Sequence, residues 1–170
     1  MPEANDRLAE RMSRLERHVR RLEDQVEIYQ LLASYGPAVD SRSGEAAAEL
    51  WAEDGRYDFG GPPLEGRDRI AGLVDLDSHL GYVASGCAHV ISMPLVSVDG
   101  DRAVATGYSR VYLRVGDGWK VERASANRWE LTRTPAGWKV TSRIARLLDG
   151  TPESRGLLAQ GVAINETPEH

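Results

Sequence analysis

The chain has 170 residues, 26 of them acidic and 21 basic, for a formal charge of −5. That is the size of one compact domain, and it lacks the excess of Lys and Arg that tracking a phosphate backbone requires, so nucleic acid is not an expected partner. No window approaches the roughly 20 apolar residues of a membrane span, and the opening MPEANDRLAERMSR holds no apolar stretch like a secretory signal; a soluble, cytoplasmic protein with no membrane partner is expected. Cys87 is the only cysteine, so no internal disulfide holds the fold. One Phe against four Trp and six Tyr gives most aromatic rings a polar handle, which suits an interface or a pocket with a wet end.

Leu8, Met12, Leu15, Val19, Leu22, Val26 and Tyr29 alternate spacings of four and three, the seam of a coiled coil. Met12, Val19 and Val26 take the a positions and Leu8, Leu15, Leu22 and Tyr29 the d positions. Arg11 and His18 at g face Glu16 and Glu23 at the following e, which favours parallel pairing, and β-branched a residues with Leu at d lean towards two strands. Basic residues at 7, 11, 14, 17, 20 and 21 are interrupted by acidic ones at 16, 23, 24 and 27, so the rest of this surface reads as solvated helix. Residues 1–25 therefore read as a coiled-coil extension, and the chain as a homo-oligomer.

Residues 26–150 read as the globular domain. The helical pattern runs through Leu31, Leu32 and Tyr35 to Gly36-Pro37, where proline removes a helical N–H and predicts a bend or restart, with Asp40 near a helix end. Residues 44–52 read as a short helix, 56–59 as a first short strand, 60–63 as a loop and 67–79 as a third helix. The period then changes to two: 89–98, 102–115, 119–133 and 138–148 are strand candidates with turn signals at 99–100, 116–118 and 134–137. Neighbouring strands joined by such turns pair antiparallel, giving an α+β fold of three helices and a long curled sheet. Residues 151–170 read as a partly ordered tail.

The chain has no G-x-G-x-x-G, P-loop, G-x-S-x-G or clustered Cys/His spacing, so nucleotide, serine-hydrolase and zinc chemistry lack their minimum parts. No metal or cofactor is expected. Of the four histidines, His18 lies on the coiled coil and His170 is the last residue; His79 falls at a helix end, and His89 opens an apolar strand where Val or Ile would be ordinary.

YGPAVD at 35–40, ELWAEDGRYD at 49–58, LEGRDRI at 64–70, CAH at 87–89 and GWKVTSR at 137–143 follow one another in an order that resembles the SnoaL-like family of the nuclear transport factor 2-like superfamily, over about residues 26–148. The closest resemblance is to the group of scytalone dehydratase, bile-acid 7α-dehydratase and hexachlorocyclohexane dehydrochlorinase. It implies a cone-shaped curled antiparallel sheet packed with three helices, often in trimers, so the oligomer is a dimer on the seam's evidence and a trimer on the family's. It also implies an Asp/His dyad: His89 as general base and Asp40 as the carboxylate that orients its imidazole. A histidine titrates near neutral pH, and a carboxylate on one ring nitrogen fixes the tautomer and steadies the imidazolium.

Further positions carry over from the same resemblance. Arg143 matches an arginine near the leaving-group or carbonyl end of the pocket. Tyr35 stands where the dehydratases have tyrosine and the dehydrochlorinase lysine, which favours loss of water over loss of halide. Tyr57 and Cys87 line the pocket, Cys87 sharing a strand face with His89, and Asn127 hydrogen-bonds a substrate oxygen. The implied activity is a cofactor-independent lyase, a dehydratase of an apolar hydroxylated small molecule such as a steroid, terpenoid or polyketide-like compound. The same dyad also serves a polyketide cyclase or an isomerase, and a non-catalytic ligand-binding or assembly module remains the third alternative.

Overall fold

The computed structural model describes residues 2–165; the last five residues of the expected tail, and Met1 before the helix, lie outside the described residues. A 39-residue helix, α1 (Pro2–Asp40), is followed by α2 (Gly44–Ala48), β1 (Trp51–Asp58), β2 (Leu64–Glu65), α3 (Arg67–Ala71), a 3-10 turn (Gly72–Asp75), α4 (Asp77–Ser85), β3 (Cys87–Ile91), β4 (Leu95–Asp99), β5 (Arg102–Val115), β6 (Gly118–Thr134), β7 (Gly137–Leu147) and α5 (Pro152–Asn165). The sheet runs β2-β1-β7-β6-β5-β3, with β4 also on β5. It curls without closing, and α1 lies in its concavity, where Ile28, Leu32, Tyr35 and Val39 form a core with Ala103, Ala105, Trp129 and Leu131.

The expected α+β layout is present, with differences that have physical causes. There are five α-helices among the described residues where three were expected. The third expected helix is broken at Gly72 and Leu76 and runs on past His79 to Ser85. The second stops at Ala48, because Trp51 already pairs with Val140. The run 89–98 is two strands: Ser92-Met93-Pro94 interrupts it, and Gly107 on β5 gives the connection room. β5, β6 and β7 pair as consecutive antiparallel strands, whereas β1 closes onto β7 in parallel.

Two further expectations are corrected. Pro37 does not restart α1, which continues to Asp40. Only one N–H is lost, and three residues later the helix ends anyway, with Arg42 in the left-handed region at φ 58°. The segment from Thr151 is a helix as far as Asn165: α5 covers the convex face, where Leu157 and Ser154 are buried and Gly161 seats on Thr106.

The angle of α1 is set by one charge pair, in which a buried Asp24 meets an exposed Arg133. Arg133 donates through Nη1 and Nη2 to the two oxygens of Asp24, both at 2.7 Å, and Trp138 donates Nε1–H to the same carboxylate at 3.2 Å. One turn on, Glu27 accepts the Trp138 backbone N–H at 2.9 Å. Gly137, at φ +94°, leaves the space that the Glu27 carboxylate fills. Trp51, Trp129 and Trp138 are core residues, while Trp119 is exposed.

The Arg133 hydrogen bonds hold the Asp24 carboxyl below the usual carboxylate range against the opposing effect of burial, with Trp138 helping. A folded-state value below the unfolded one stabilises the fold above about pH 4 and is lost as pH falls through the lowered value. Asp24→Asn is expected to cost about 1–3 kcal/mol at neutral pH. The gap to wild type should narrow as the solution is acidified, as read by urea midpoints at several pH values.

Candidate active site

Strand register lays out the concave face in rows. His89, Val111 and Arg123 are aligned across β3, β5 and β6, and the next row is Ile91, Ser109, Ser125 and Leu147. Then come Gly107, Asn127 and Ala145, and last Ala105, Trp129, Arg143 and Tyr57. His89 and Arg143 are thus far apart along the sheet, and its curl brings both to one cavity of about 100 Å³, whose walls include Tyr35, Tyr57, Phe59 and Ile91. A larger open groove of about 850 Å³ between α1 and Gly100-Asp101 is lined by helix-surface charges and contains none of these residues.

The contact between α1 and β3 builds the first half of the site. A Cβ at Gly36 would fall on the His89 carbonyl oxygen, so glycine lets the helix lie directly on the strand backbone. One turn later Asp40 meets His89 twice: Nδ1 lies 2.6 Å from Oδ1, and the His89 backbone N–H donates to Oδ2 at 2.7 Å. The Cys87 thiol donates to Oδ1 at 3.3 Å. Burial raises the Asp40 carboxyl, but the His89 ring, its backbone N–H and charge, and the Cys87 thiol outweigh it and hold the carboxyl below its ordinary range. An ionised Asp40 only accepts, so Nδ1 carries a proton, and in the neutral form of the ring the lone pair lies on Nε2. His79 packs beside this pair, its ring 5.4 Å from that of His89 and its Nε2 2.8 Å from the Val39 carbonyl oxygen.

Arg143 makes the other half. It is 3% exposed and has no carboxylate partner among the described residues; its guanidinium lies 4.0 Å from the Trp129 ring centroid and 4.5 Å from those of Tyr35 and Tyr57. Asn127 Oδ1 accepts from Nε at 3.1 Å and from Nη2 at 2.9 Å, while Asn127 in turn donates to Ser109 Oγ and the Ser125 carbonyl. Nη1 is buried with no protein acceptor. A buried donor left unpaired is costly, and here it belongs to a residue that lines the cavity. Burial, together with Tyr57, pushes the Tyr35 phenol well above its ordinary range against the pull of Arg143, so Tyr35 stays a proton donor.

Of the residues singled out in the sequence, His89, Tyr35, Tyr57 and Arg143 line the cavity, and Asp40 stands behind His89. Cys87 and Asn127 are not among the residues that line the cavity. Cys87 shares the His89 face, but its thiol is turned to Asp40, and Asn127 is spent on Arg143. Ser109, Ser125, Phe59 and Arg123 line the cavity and were not singled out. Alternation along 109 and 111 on β5 points to that face. On β6 the register shift between Val111↔Arg123 and Tyr112↔Val121 leaves Glu122 as the extra residue and hides the phase. Arg123 is exposed and makes no ion pair among the described residues.

Asp40, Cys87 and His89 present ligand atoms within 4.8 Å of one another. A metal ion there would require a thiolate and a bare Nδ1, whereas both groups now donate to Asp40. Burial raises the thiol first, and the neighbouring Asp40 raises it further, to about 11.

The SnoaL-like domain model matches residues 20–144, most of the chain. The chain belongs to the SnoaL-like family of the nuclear transport factor 2-like superfamily. Members of the family are often small-molecule enzymes. A nuclear transport factor 2-like protein with a cystatin-like fold from Novosphingobium aromaticivorans is 44% identical, with 86% of this chain and 96% of that chain covered and a TM-score of 0.84. A putative aromatic ring hydroxylase from the same organism is 28% identical over 75% of this chain and 90% of that chain, with a TM-score of 0.58. A Catenulispora acidiphila protein in complex with S-DNPA shares the fold at 23% identity, with 72% and 91% covered and a TM-score of 0.62. No curated protein matches the chain. No helix of the described residues is long and apolar enough to cross a membrane.

Gly36→Ala is expected to push α1 off β3, lowering stability by about 1–3 kcal/mol and exposing the His89 Nδ1–H to solvent exchange. Calorimetry and histidine NMR read both effects. Cys87 in the folded protein should resist iodoacetamide at pH 8 and react promptly once denatured, because its thiol is hydrogen-bonded and raised to about 11.

Proposed function

We propose that the protein is a cofactor-independent lyase, a dehydratase, acting in the cytoplasm on a hydroxylated, mostly apolar small molecule. His89 Nε2 takes a proton from carbon while Asp40 holds Nδ1–H and balances the imidazolium. The electron pair forms the new double bond, and the hydroxyl leaves the adjacent carbon with a proton from the Tyr35 phenol. The Arg143 N–H left without an acceptor binds the substrate oxygen that gains charge as the proton departs.

The observation that carries this reading is that a carboxylate-held histidine and a buried cation with an unsatisfied N–H line one cavity. The cavity is smaller than the ~150 Å³ that accommodates benzene in an engineered core. Only the reacting end of the substrate therefore enters the cavity, whose lining includes Phe59, Leu147 and Arg123, and the remainder stays outside it. A polyketide, terpenoid or steroid with its reactive ring at one end fits that shape, and an anionic tail would find Arg123 unpaired.

Family membership also favours a second reading, in which the same residues enolise a ketone for cyclisation or isomerisation without expelling a group. Incubation with pooled hydroxylated polyketides, terpenoids and steroids, followed by mass spectrometry, separates the readings: loss of about 18 mass units marks dehydration, and unchanged mass with a changed spectrum marks the alternative. His89→Ala and Asp40→Asn are each expected to lower turnover by about 10²–10⁴-fold while retaining the fold. Retained binding without turnover in wild type would support a ligand-binding module instead.

A further inference from the structure

The first half of α1 stands clear of the domain. Every side chain from Asn5 to Glu23 is exposed. Within that stretch and just beyond it, Leu8, Met12, Leu15, Val19, Leu22 and Val26 form one apolar row, each between 51% and 60% exposed. A lone helix of this length is marginal in water, and a row of six large apolar side chains adds the cost of keeping them wet.

The domain is attached to another face of the same helix. Counting Met12, Val19 and Val26 as a positions, the buried residues Asp24, Ile28, Leu32 and Tyr35 fall at f, c, g and c. Val26 and Ala33 at a remain outside. Because Asp24 and Glu27 lock that other face to Arg133 and Trp138, the seam is held outward along its length. At its foot Tyr29 and Ala33 border an apolar hollow with Pro94 and Met93, the latter 82% exposed.

We propose that this seam is the docking surface for α1 of a second copy of the chain, in a parallel two-stranded coiled coil over residues 8–26 whose foot is closed over Met93. Charge selects the occupant and its direction. In a parallel pair, Arg11 faces the partner's Glu16 and His18 faces the partner's Glu23, twice over by symmetry. An antiparallel pair centred on the same stretch sets Glu16 against the partner's own Glu16 and loses both of these opposite-charge pairs. Valine at a with leucine at d favours two strands over three. Because the domain uses the c, f and g side, the two domains sit outside the coil.

Sedimentation equilibrium of the intact chain tests this independently of any substrate. The expected mass is twice the 18.7 kDa of one chain. Leu15→Glu with Leu22→Glu should give a folded monomer, with circular dichroism reporting an intact domain. Glu16→Arg should weaken association by roughly tenfold, and adding Arg11→Glu should restore it. Leu15→Cys should cross-link to a disulfide dimer under mild oxidation, because a parallel seam stacks residue 15 on itself, whereas the wild type with Cys87 alone should not. A monomer at tens of micromolar, a trimer, an assembly indifferent to Leu15→Glu with Leu22→Glu, or failure of the charge swap to restore pairing would overturn the proposal.

Discussion

The site depends on a helix being able to lie on a strand with no side chain between them. Gly36 supplies that approach, and the Asp40 carboxylate then reaches both the ring and the backbone N–H of His89. Two bonds to one residue fix position and orientation together, which a single bond to a rotatable ring does not. Cys87 adds a third donor from the same strand face, so the carboxylate is satisfied by groups from β3 alone. Asp24, sixteen residues earlier on the same helix, fixes the other end to the β6–β7 hairpin. α1 is thereby held at two points.

The other half of the site uses different physics. Arg143 is a buried cation without a counter-ion, held instead by three aromatic rings and one amide oxygen. Aromatic faces stabilise a desolvated guanidinium without neutralising it, and the buried Nη1 stays available to an incoming acceptor. The one carboxylate of the dyad is committed to His89, so base and cation operate without forming a salt bridge across the cavity. A histidine and an uncompensated cation in one cavity suit the proposed reaction, in which negative charge develops on substrate.

Much of this was legible locally. The strand limits on β5, β6 and β7 follow from period-two alternation and turn chemistry, and His89 stood out as a polar residue in an apolar run. Asp40 and Arg143 are far from His89 in sequence, and only the resemblance of the loop and helix phrases to a known family joined them. The misreadings have specific causes. Gly36-Pro37 was taken for a break because proline's missing N–H is visible in sequence while the strand that glycine must accommodate is not. Alternation gave Cys87 and Asn127 a face but not the partners they meet there, Asp40 and Arg143. Arg123 was hidden by a bulge that shifts the phase of β6 by one residue.

The sequence by itself determined the α+β class, the heptad seam, the three long strands and the candidate base, since these rest on periodicities of 3.5 and 2 that neighbouring residues carry. Tertiary structure decided which side chains meet. Residues from α1, β1, β3, β6 and β7 converge only because a twisted sheet curls around the helix, and that curl is a property of the whole sheet that no single segment specifies. It likewise decided that the domain grips one face of α1 and leaves the heptad face to water, because the Asp24–Arg133 pair joins residues 109 positions apart.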